Sequence, residues 1–495
     1  MTFSHISQKP SAVAAIITPE EIKSLLDTDQ ASESKRKARQ GQRYYDGEHD
    51  IKDYRIFYFD DEGVLHEDKM RSNIKISHCF FTELVDQEVQ YFLSGKEGFA
   101  FSDQPELQEE LDAYFNNNED FRAELSDAVT GAIVKGWDYL YAYRNSEGRL
   151  AFQCADALDV VEAEGRYTSD GRDYVIYSYV QRIDLKGKTV RKIEVWDDKC
   201  VTFFVQHDSG LPELDTAEKV NPRPHVLYRK ENDDSTYYEG LGFIPFFRLD
   251  NNRRRISGLK PVKALIDDYD LMACGLSNNL QDLTEGIYVV RGFQGSSFDE
   301  LQQNLKTKKI VGVDEDGDVE IRTISIPYEA RKVKLELDEK NIYRFGMGFN
   351  AAQLGDGNIT NVVIRSRYAL LDLKCNKLEA RVRQFLRKIV GVVLEEINKE
   401  QGTSYQSSDV YFRFEREIMT NAADNAQISL TEAQTRQTQV NTLLSLLTQA
   451  PSEQVWKDLC SVLDWDYAEI KDKLPEDPAA EAQRALDAMN EVPDE

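Results

Sequence analysis

The sequence predicts an α+β protein built of several folding units. Its 495 residues exceed one domain of ordinary size, and length alone favours roughly two to four units. Between residues 137 and 205, aromatic and β-branched residues recur with a period of two, which is typical of antiparallel strands. From residue 361 to about 398, apolar residues recur at helical spacing instead. Both kinds of element are therefore expected, in separate parts of the chain.

Composition narrows the functional classes. The chain has 88 acidic and 61 basic residues, and its net charge of −27 argues against tight, indiscriminate nucleic-acid binding over the whole surface. This charge does not exclude a protein that lets DNA slide past it. No stretch approaches the roughly 18 apolar residues of a membrane span, so no membrane association is expected. The six cysteines lie far apart without a CxxC pair, which suggests neither disulfides nor a zinc site and fits a reducing cytoplasm.

The N-terminal part is predicted to be helical. Three helical stretches are expected, over residues 19–45, 77–94 and 105–136, the last interrupted by a turn at Asn116–Asn118. Thr18 and Glu21 have the spacing of a capping box around Pro19, which predicts the start of the first helix. The segment "YYDGEHDI" (Tyr44–Ile51) is expected to end it.

The middle of the chain is predicted to be β-rich. Four strand sequences, "YLYAY", "YVIYSYV", "KIEVW" and "TFFV", are separated by turn sequences such as "NSEGR" and "SDGRD". Residues 206–240 are polar and are expected to be loop. Gly240–Asn252 is predicted to form one buried strand. The basic run Arg253–Arg255 is expected in a solvated loop or a subunit contact.

Two helices are predicted to flank a small mixed module. Pro261 begins a helix that reaches about Leu283, and its apolar stripe consists of Val262, Leu265, Ile266, Tyr269, Met272, Leu276, Leu280 and Leu283. The module contains a strand over 287–293, a helix over 297–306, a strand over 309–313, a "DEDGD" turn and a strand over 319–326. Residues 329–346 carry both strand-like alternation and i,i+4 charge pairs, and the charge pairs favour a helix.

The C-terminal part is predicted to be mostly helical. The longest helix, from 361 to about 398, would span roughly 57 Å at 1.5 Å per residue. A strand is expected at Asp409–Glu415, followed by helices within 421–473. The acidic, Ala-rich tail beyond Pro475 is expected to be mobile.

Motif tests do not indicate an enzyme. The loop "GDGNIT" lacks the lysine of a Walker phosphate loop, and in "GAIVKGWD" Trp137 occupies the lysine position. The six histidines are scattered without an HExxH motif, and "DEDGD" lacks the register of a calcium loop, so a hairpin turn is favoured there. No Gly-x-Ser-x-Gly elbow occurs. We therefore expect no catalytic residue, cofactor or metal site.

The longest helix carries a basic stripe that departs from the acidic composition. The stripe consists of Arg367, Lys374, Arg381 and Lys388, which repeat every seven residues. Beside it runs an apolar seam of Ile364, Tyr368, Leu371, Cys375, Leu378, Val382, Phe385 and Ile389. The favoured hypothesis is that the stripe makes salt bridges within the subunit or to an adjacent one. The alternative is that it faces a polyanion such as DNA.

The order of these parts is more informative than any one motif. A β-rich region leads through "GFIPFFRLDNN" into a helix containing "LIDDYDLMACGLSNNLQDL"; a small αβ module and a second helix follow, and "LGDGNITNVVIRSRYALLDLKCNKLE" begins the long helix. Upstream, "YYDGEHDI" and "VDQEVQYFLSGKEGFAF" belong to the same pattern. The chain resembles, over nearly its whole length, the portal proteins or head-tail connectors of tailed double-stranded DNA bacteriophages. Within that group it is most similar to those of long-tailed phages of Gram-positive bacteria.

The resemblance implies a portal-type subunit with a β-rich wing, a two-helix stem, a small αβ clip, a long spine helix and a helical crown. The implied divisions are N-terminal helices and wing 1–255, stem helices 256–283 and 328–349, clip 284–327, tunnel loop 350–361, spine helix and strand returning to the wing 362–420, crown 421–475 and flexible tail 476–495.

The resemblance also implies candidate functional residues. The tunnel loop, projecting into a DNA channel, would contain Asn350, Gln353, Leu354, Gly355, Asp356, Gly357, Asn358, Ile359 and Thr360. The clip, where the adaptor and motor dock, would use Ile287, Tyr288, Arg291, Phe293, Lys308, Lys309 and Asp316. Glycine in the loop would lower the cost of moving between backbone states as DNA passes.

The function that the resemblance implies is structural. The chain would form a ring, typically of about twelve copies, at one capsid vertex, through which viral double-stranded DNA is packaged and ejected. Its partners would be the terminase motor, the head-tail adaptor, and the scaffolding and major capsid proteins, with assembly in the host cytoplasm and a final place in the virion. Two alternatives stay open: another oligomeric capsid or tail component without a DNA channel, and an enzyme with an unrecognised site.

Overall fold

The computed structural model confirms the α+β class. It describes residues 17–60, 62–69, 71–183, 187–229, 236–282, 287–293, 297, 301, 313–322, 327–350, 361–417, 422–446, 452–463 and 465–467. Within these residues, helices occupy the two ends of the chain and antiparallel sheets occupy its middle.

The α-helices of the described part agree closely with the periodicity of the sequence. They are α1 (Pro19–Ala31), α2 (Glu33–Tyr45), α3 (Phe80–Phe92), α4 (Pro105–Leu111), α5 (Glu119–Lys135), α6 (Lys263–Asp282), α7 (Tyr328–Gly346), α8 (Asn361–Gln401), α9 (Ala422–Leu446) and α10 (Ser452–Leu463). Short 3-10 turns lie at Asp50–Asp53, Gly165–Tyr167 and Ser407–Asp409, and a π turn lies at Asp112–Asn116. The helical prediction for 329–346 is confirmed by α7.

The described strands range in length from two residues to the ten of the longest. They are β1 (Phe57–Phe59), β2 (Leu65–Glu67), β3 (Ala100–Phe101), β4 (Trp137–Arg144), β5 (Leu150–Ala155), β6 (Val160–Ala163), β7 (Tyr174–Arg182), β8 (Thr189–Trp196), β9 (Cys200–Gln206), β10 (Glu213–Leu214), β11 (Arg223–Pro224), β12 (Val226–Arg229), β13 (Thr236–Glu239), β14 (Phe246–Asp250), β15 (Ile287–Phe293), β16 (Val313–Arg322) and β17 (Tyr411–Phe412).

The strands pair antiparallel throughout the described part. The largest sheet has the order β10-β9-β8-β7-β6, with β11 also pairing with β9. A second sheet has the order β14-β4-β5, and its register places Phe247 opposite Leu140. Two-stranded pairs join β1 to β2, β12 to β13, β15 to β16, and β3 to β17. The antiparallel β region predicted for 137–205 is therefore confirmed.

The predicted helix over 19–45 is two helices rather than one. The capping box is present at its start, where the Thr18 hydroxyl accepts a hydrogen bond from the Glu21 amide at 3.2 Å. Ser32 then adopts an extended conformation and its hydroxyl caps α2 by accepting from the Lys35 amide, also at 3.2 Å. Serine competes with helical hydrogen bonding through its own side chain, which explains the break.

A buried lysine fastens the N-terminal helices to the β region. The Lys35 ammonium donates to the main-chain oxygens of Ala157, Leu158 and Val160, at 2.5, 3.2 and 2.9 Å, and pairs with Asp29 at 2.9 Å. Burial lowers the pKa of Lys35, while the Asp29 carboxylate partly opposes that effect. The apolar core beside it packs α1 against the larger sheet through residues such as Ile22, Leu26, Ile176 and Phe204.

Three sequence predictions need correction. The segment 206–240 contains four short strands, β10 to β13, and is not loop throughout. The strand predicted at Gly240–Asn252 is confined to β14, and the strand predicted at Asp409–Glu415 to β17. The short side chains and turn residues around these strands limit the length over which a regular ladder can form.

The "DEDGD" segment is also not a turn between two strands. It lies within β16, where Arg291 pairs with Asp318 but Phe293 pairs with Val313, so residues 314–317 bulge opposite Gly292. Gly292 has a φ of +65°, which allows the sharp local twist. The helix predicted over 297–306 and the strand predicted over 309–313 lie largely outside the described residues.

The chain divides into two compact units. One consists of Met1–Gln353 and Tyr368–Glu417, and holds all the sheets described above, α1 to α7 and the part of α8 from Tyr368 onward. The other consists of Leu354–Arg367 and Ile418–Glu495, and holds α9 and α10. The finer divisions expected from the sequence stay predictions.

Candidate functional site

The helices α6 and α7, which were predicted as the stem, pack against each other. Lys334 of α7 bridges them by pairing with Asp268 of α6 at 2.5 Å and with Asp338 of its own helix. The hydrogen bond to Asp268 is the largest cause of a raised pKa of Lys334. The predicted apolar stripe of α6 is only partly correct, because Leu280 is 53% exposed and the buried positions are Ile266, Asp270 and Cys274.

Asp270 lies at the centre of a buried ionic cluster that joins α6 to the N-terminal part of the chain. His49 Nδ1 contacts Asp270 Oδ2 at 2.6 Å, and His49 Nε2 contacts the main-chain oxygen of Tyr44 at 3.2 Å. His78 contacts Asp270 Oδ1 twice, with its backbone amide at 2.9 Å and Nδ1 at 2.8 Å. Both ring nitrogens of His49 therefore lie within hydrogen-bonding distance of oxygen atoms. Burial acts to raise the pKa of Asp270, but the hydrogen bonds from both histidines outweigh it and lower the pKa.

The segment that leads from α7 towards the predicted tunnel loop is held at its base. Helix α7 ends at Gly346, and Met347 follows with a φ of +57°. The Gln87 side chain of α3 then accepts from the Phe349 amide at 3.0 Å and donates to the Phe349 oxygen at 2.8 Å. The Phe349 ring stacks on Tyr368 of α8 with centroids 4.9 Å apart. Asn350, which is buried, donates to Glu339 at 2.8 Å.

Most of the predicted tunnel loop lies outside the described residues. Asn350 and Asn361 flank the undescribed stretch, as the end of the α7 segment and the first residue of α8. Gln353, Leu354, Gly355, Asp356, Gly357, Asn358, Ile359 and Thr360 fall within it. The role assigned to these residues is therefore a proposal.

The predicted seam of α8 is confirmed, since Leu371, Cys375, Leu378, Val382 and Phe385 are all buried. The basic residues beside it do not act as one stripe. Lys374 lies 2.8 Å from Glu88 of α3, and Glu88 is only 2% exposed. This contact is an ion pair by distance and not a well-aligned hydrogen bond.

The other three residues of the stripe make no such ion pair within the described part of the chain. Arg381 contacts only the side chain of Gln384 among the described residues, at 3.3 Å, and Lys388 is exposed. The side chain of Arg367 lies outside the described part. The salt-bridge hypothesis for the stripe therefore holds for Lys374 within the subunit.

Other arginines of α8 bind the chain segment that follows the helix. Arg383 donates to the Phe412 oxygen, and Arg387 donates to the oxygens of Ser407 and Val410, the latter at 2.7 Å. In return, Arg416 reaches back to α8 and pairs with Asp372, at 2.6 Å, and with Glu379. These contacts attach β17 to the side of the long helix.

The predicted clip residues are divided between described and undescribed positions. Ile287, Tyr288, Arg291 and Phe293 all lie on β15, although the side chains of Ile287 and Tyr288 are not described. Asp316 lies in the bulge of β16 and is exposed, as is Arg291. Lys308 and Lys309 lie outside the described residues. The pairing of β15 with β16 thus brings Arg291 and Asp316 to one small sheet.

The described residues contain neither a candidate metal site nor a candidate membrane span. That part of the chain holds no group of three or more His, Cys, Asp or Glu side chains arranged to bind a metal. Among its helices, none has the length and apolar character needed to cross a membrane. The contacts of Gln87 and Asp270 were not predicted from the sequence. They join single polar residues far apart along the chain, and no motif could have revealed them.

Comparison with known proteins agrees with the order of elements. A family model described as "Phage portal protein, SPP1 Gp6-like" matches residues 26–455. The portal protein of Bacillus phage SPP1 is 27% identical over 394 residues, covering 78% of this chain and 75% of that protein. The portal protein of Clostridium phage phiCD119 is 23% identical over 429 residues, covering 83% of this chain and 88% of that protein. The chain therefore belongs to the SPP1 Gp6-like family of phage portal proteins, and its function is that of a portal in phage DNA packaging.

Proposed function

We propose that copies of this chain form a closed ring at one vertex of a phage capsid, with an axial channel through which double-stranded DNA enters and leaves. The single observation that carries this proposal is the family match over residues 26–455, which spans nearly every described element. A family of structural proteins implies a subunit without catalysis of its own, so the motor that consumes ATP is a separate protein. About twelve copies would close the ring.

In this proposal, residues 350–361 form the tunnel loop. The contacts of Gln87 and Tyr368 with Phe349 support it, because they fix the point at which the loop leaves the body of the subunit. A loop with a fixed base and glycine-rich sequence can change its backbone conformation without moving the helices on which it stands. Such a loop suits contact with a DNA helix that translates past it.

The paired strands β15 and β16 would be part of the clip, and the adaptor and terminase motor would dock there. Arg291 and Asp316 are both exposed, so the small sheet presents groups of each sign to a partner. The bulge opposite Gly292 increases the local twist and discourages further strand addition at that point. The pair α6–α7 would form the stem between clip and wing, and α9 with α10 would belong to the crown.

The net charge of −27 per subunit supports a channel through which DNA slips. Each lysine or arginine that binds a phosphate adds affinity through counterion release, and a lining rich in such contacts would slow translocation. The subunit would assemble in the host cytoplasm with scaffolding and major capsid proteins, and would remain in the virion.

Electron microscopy of the purified chain, with its mass in solution, tests the proposal. We expect closed rings with an open axial channel and a mass near roughly 680 kDa, which is about twelve times 56.8 kDa. Rings without a channel wide enough for duplex DNA would favour a different capsid or tail component. A chain that stays monomeric at high concentration and with phage scaffolding protein would contradict the ring.

A further inference from the structure

The β1–β2 hairpin carries an exposed apolar face. Phe59 pairs with Leu65, and because alternate strand residues share a face, Phe57 lies beside them. These three side chains are 70%, 54% and 52% exposed. A two-stranded hairpin is marginally stable alone in water, and large exposed apolar residues usually mark an interface. The hairpin therefore needs a second surface to cover it.

The hairpin is also strongly acidic. Between Phe57 and Asp68 the sequence has no lysine or arginine, and its carboxylates are Asp60, Asp61, Glu62, Glu67 and Asp68. Glu62 and Glu67 are exposed, and among the described residues the one ion pair of Glu67 is a long contact of 3.6 Å with Arg55. The surface that covers the hairpin should accordingly combine apolar and basic side chains.

Helix α8 presents such a surface on its solvent side. Leu370, Leu373, Lys377, Arg381 and Lys388 follow one another at intervals of three, four or seven residues, so they share one helix face. Leu370 and Leu373 are 44% and 49% exposed. Within the described part of the chain, Lys377 and Lys388 make no ion pair, whereas Lys374, at the edge of the same side of the helix, is paired with Glu88. We name Leu370, Leu373, Lys377, Arg381 and Lys388 the outer face of α8.

We propose that the β1–β2 hairpin of one copy of this chain docks on the outer face of α8 in the next copy. The apolar side chains Phe57, Phe59 and Leu65 would cover Leu370 and Leu373, while the hairpin carboxylates approach Lys377 and Arg381. The two surfaces differ from each other, so the contact is heterologous, and a heterologous contact generates a ring when its rotation closes. The inference rests on the proposed ring and names the surfaces that build it.

The composition of the outer face favours a protein partner over DNA. Exposed leucines gain nothing from a phosphate backbone, which is bound by hydrogen-bond donors and positive charge. Against a hairpin that is both apolar and acidic, the leucines would be buried and the basic residues would meet carboxylates. Complementary charge at such a contact selects the correct partner and orientation.

A charge exchange in the full-length chain tests the pairing. One variant combines Lys377→Glu with Arg381→Glu, a second combines Glu62→Lys with Glu67→Lys, and a third contains all four substitutions. We expect the first two to lose the ring species in native mass spectrometry and electron microscopy, and the third to regain it. Thermal melting of each variant checks that the subunit remains folded.

Disulfide trapping tests the apolar part of the contact. A chain with Phe59→Cys is mixed with a chain that carries Leu373→Cys, so that a bond between the two substituted positions can form only between copies. The matched control uses Tyr58→Cys, which lies one residue away on the opposite face of the hairpin. We expect the cross-link with Phe59→Cys and at most a tenth as much with Tyr58→Cys, with each single variant correcting for the exposed Cys79.

The outcomes separate this inference from the proposed function. If the unchanged chain forms rings, two results would overturn the hairpin contact and leave the portal ring intact. One is that both charge variants also form rings. The other is that the fourfold variant fails to regain them. Equal cross-linking from Phe59→Cys and Tyr58→Cys would also overturn it. Failure of the unchanged chain to form rings with scaffolding protein would count against both.

Discussion

Gln87 hydrogen bonds to both main-chain groups of Phe349, at 3.0 Å to the amide and 2.8 Å to the oxygen. One amide side chain on α3 therefore fixes the residue from which the predicted tunnel loop departs. Gly346, the last residue of α7, and Gly348 both lie against Leu84 of α3. A Cβ atom added to Gly346 or Gly348 would approach the Leu84 side chain to within 2.6 or 2.1 Å, respectively. The close approach of this segment to α3 is thus part of how the loop base is positioned.

Replacing Gln87 with alanine should release the loop base while leaving the ring intact. The two hydrogen bonds to Phe349 and a third to the Glu83 side chain are lost. We expect a loss of about 2–3 kcal/mol in unfolding free energy, since each hydrogen bond contributes roughly 1 kcal/mol net. Hydrogen exchange at the Phe349 amide should become faster. The matched control is Gln90→Ala, which removes an exposed amide from the same helix. Equal protection of Phe349 in both variants would show that the Gln87 contact does not hold the segment.

Breaking the Lys374–Glu88 ion pair should destabilise the subunit strongly. Lys374→Met leaves a carboxylate buried without its partner, which typically costs about 3–5 kcal/mol. Adding Glu88→Met should recover most of that loss, because the unpaired charge is then gone. The measurement is urea unfolding of the single and double variants. The control Lys377→Met, on the exposed outer face, should change unfolding by less than about 1 kcal/mol.

Asp270 should make part of the stability of the subunit sensitive to acid. Its pKa is lowered below the usual 3.8, because hydrogen bonds from His49 and His78 outweigh the opposing effect of burial. The Asp270 carboxylate therefore binds a proton less readily in the folded state than in the unfolded state. Its contribution to the unfolding free energy is complete above about pH 4, and it is lost as the pH falls through the lowered pKa of the folded state.

Urea unfolding between pH 3 and 7 measures that contribution. Asp270→Asn should lower the unfolding free energy by about 3 kcal/mol at neutral pH, and the difference from the unchanged chain should shrink below pH 4. Asp268→Asn removes a half-exposed carboxylate of the same helix and serves as the control, with an expected change under about 1 kcal/mol. A difference that stays constant down to pH 3 would contradict the linkage.

Gly292→Val should disrupt the pairing of β15 with β16. Gly292 has a φ of +65°, and for a residue with a side chain this backbone conformation costs about 1–2 kcal/mol. In addition, a Cβ added at this position would lie 3.2 Å from the Cα of Gly317, so a branched side chain would be crowded. Hydrogen exchange should increase in β15 and β16 and remain unchanged in β7 and β8. Unaltered protection of Val289 and Val319 would show that the bulge tolerates the substitution.

Most of the longer helices and strands were predicted correctly because their apolar residues recur at regular intervals over many residues. The buried seam of α8 and the alternation in β7 and β8 repeat over many residues, so the burial of one face was evident from sequence. Short elements were predicted less well. The strands β10 to β13 are two to four residues long and carry too few residues for any pattern, and the break at Ser32 depended on one side-chain hydrogen bond.

The sequence by itself determined the fold class, the order of helices and strands and the resemblance to portal proteins, because these depend on patterns repeated along the chain. Only the tertiary structure decided that Lys374 is committed to Glu88, that Gln87 holds Phe349 and that Asp270 gathers His49 and His78. Each of these contacts joins residues more than 190 positions apart, and the free energy of burying a polar group depends on which partner the fold brings within about 3 Å of it.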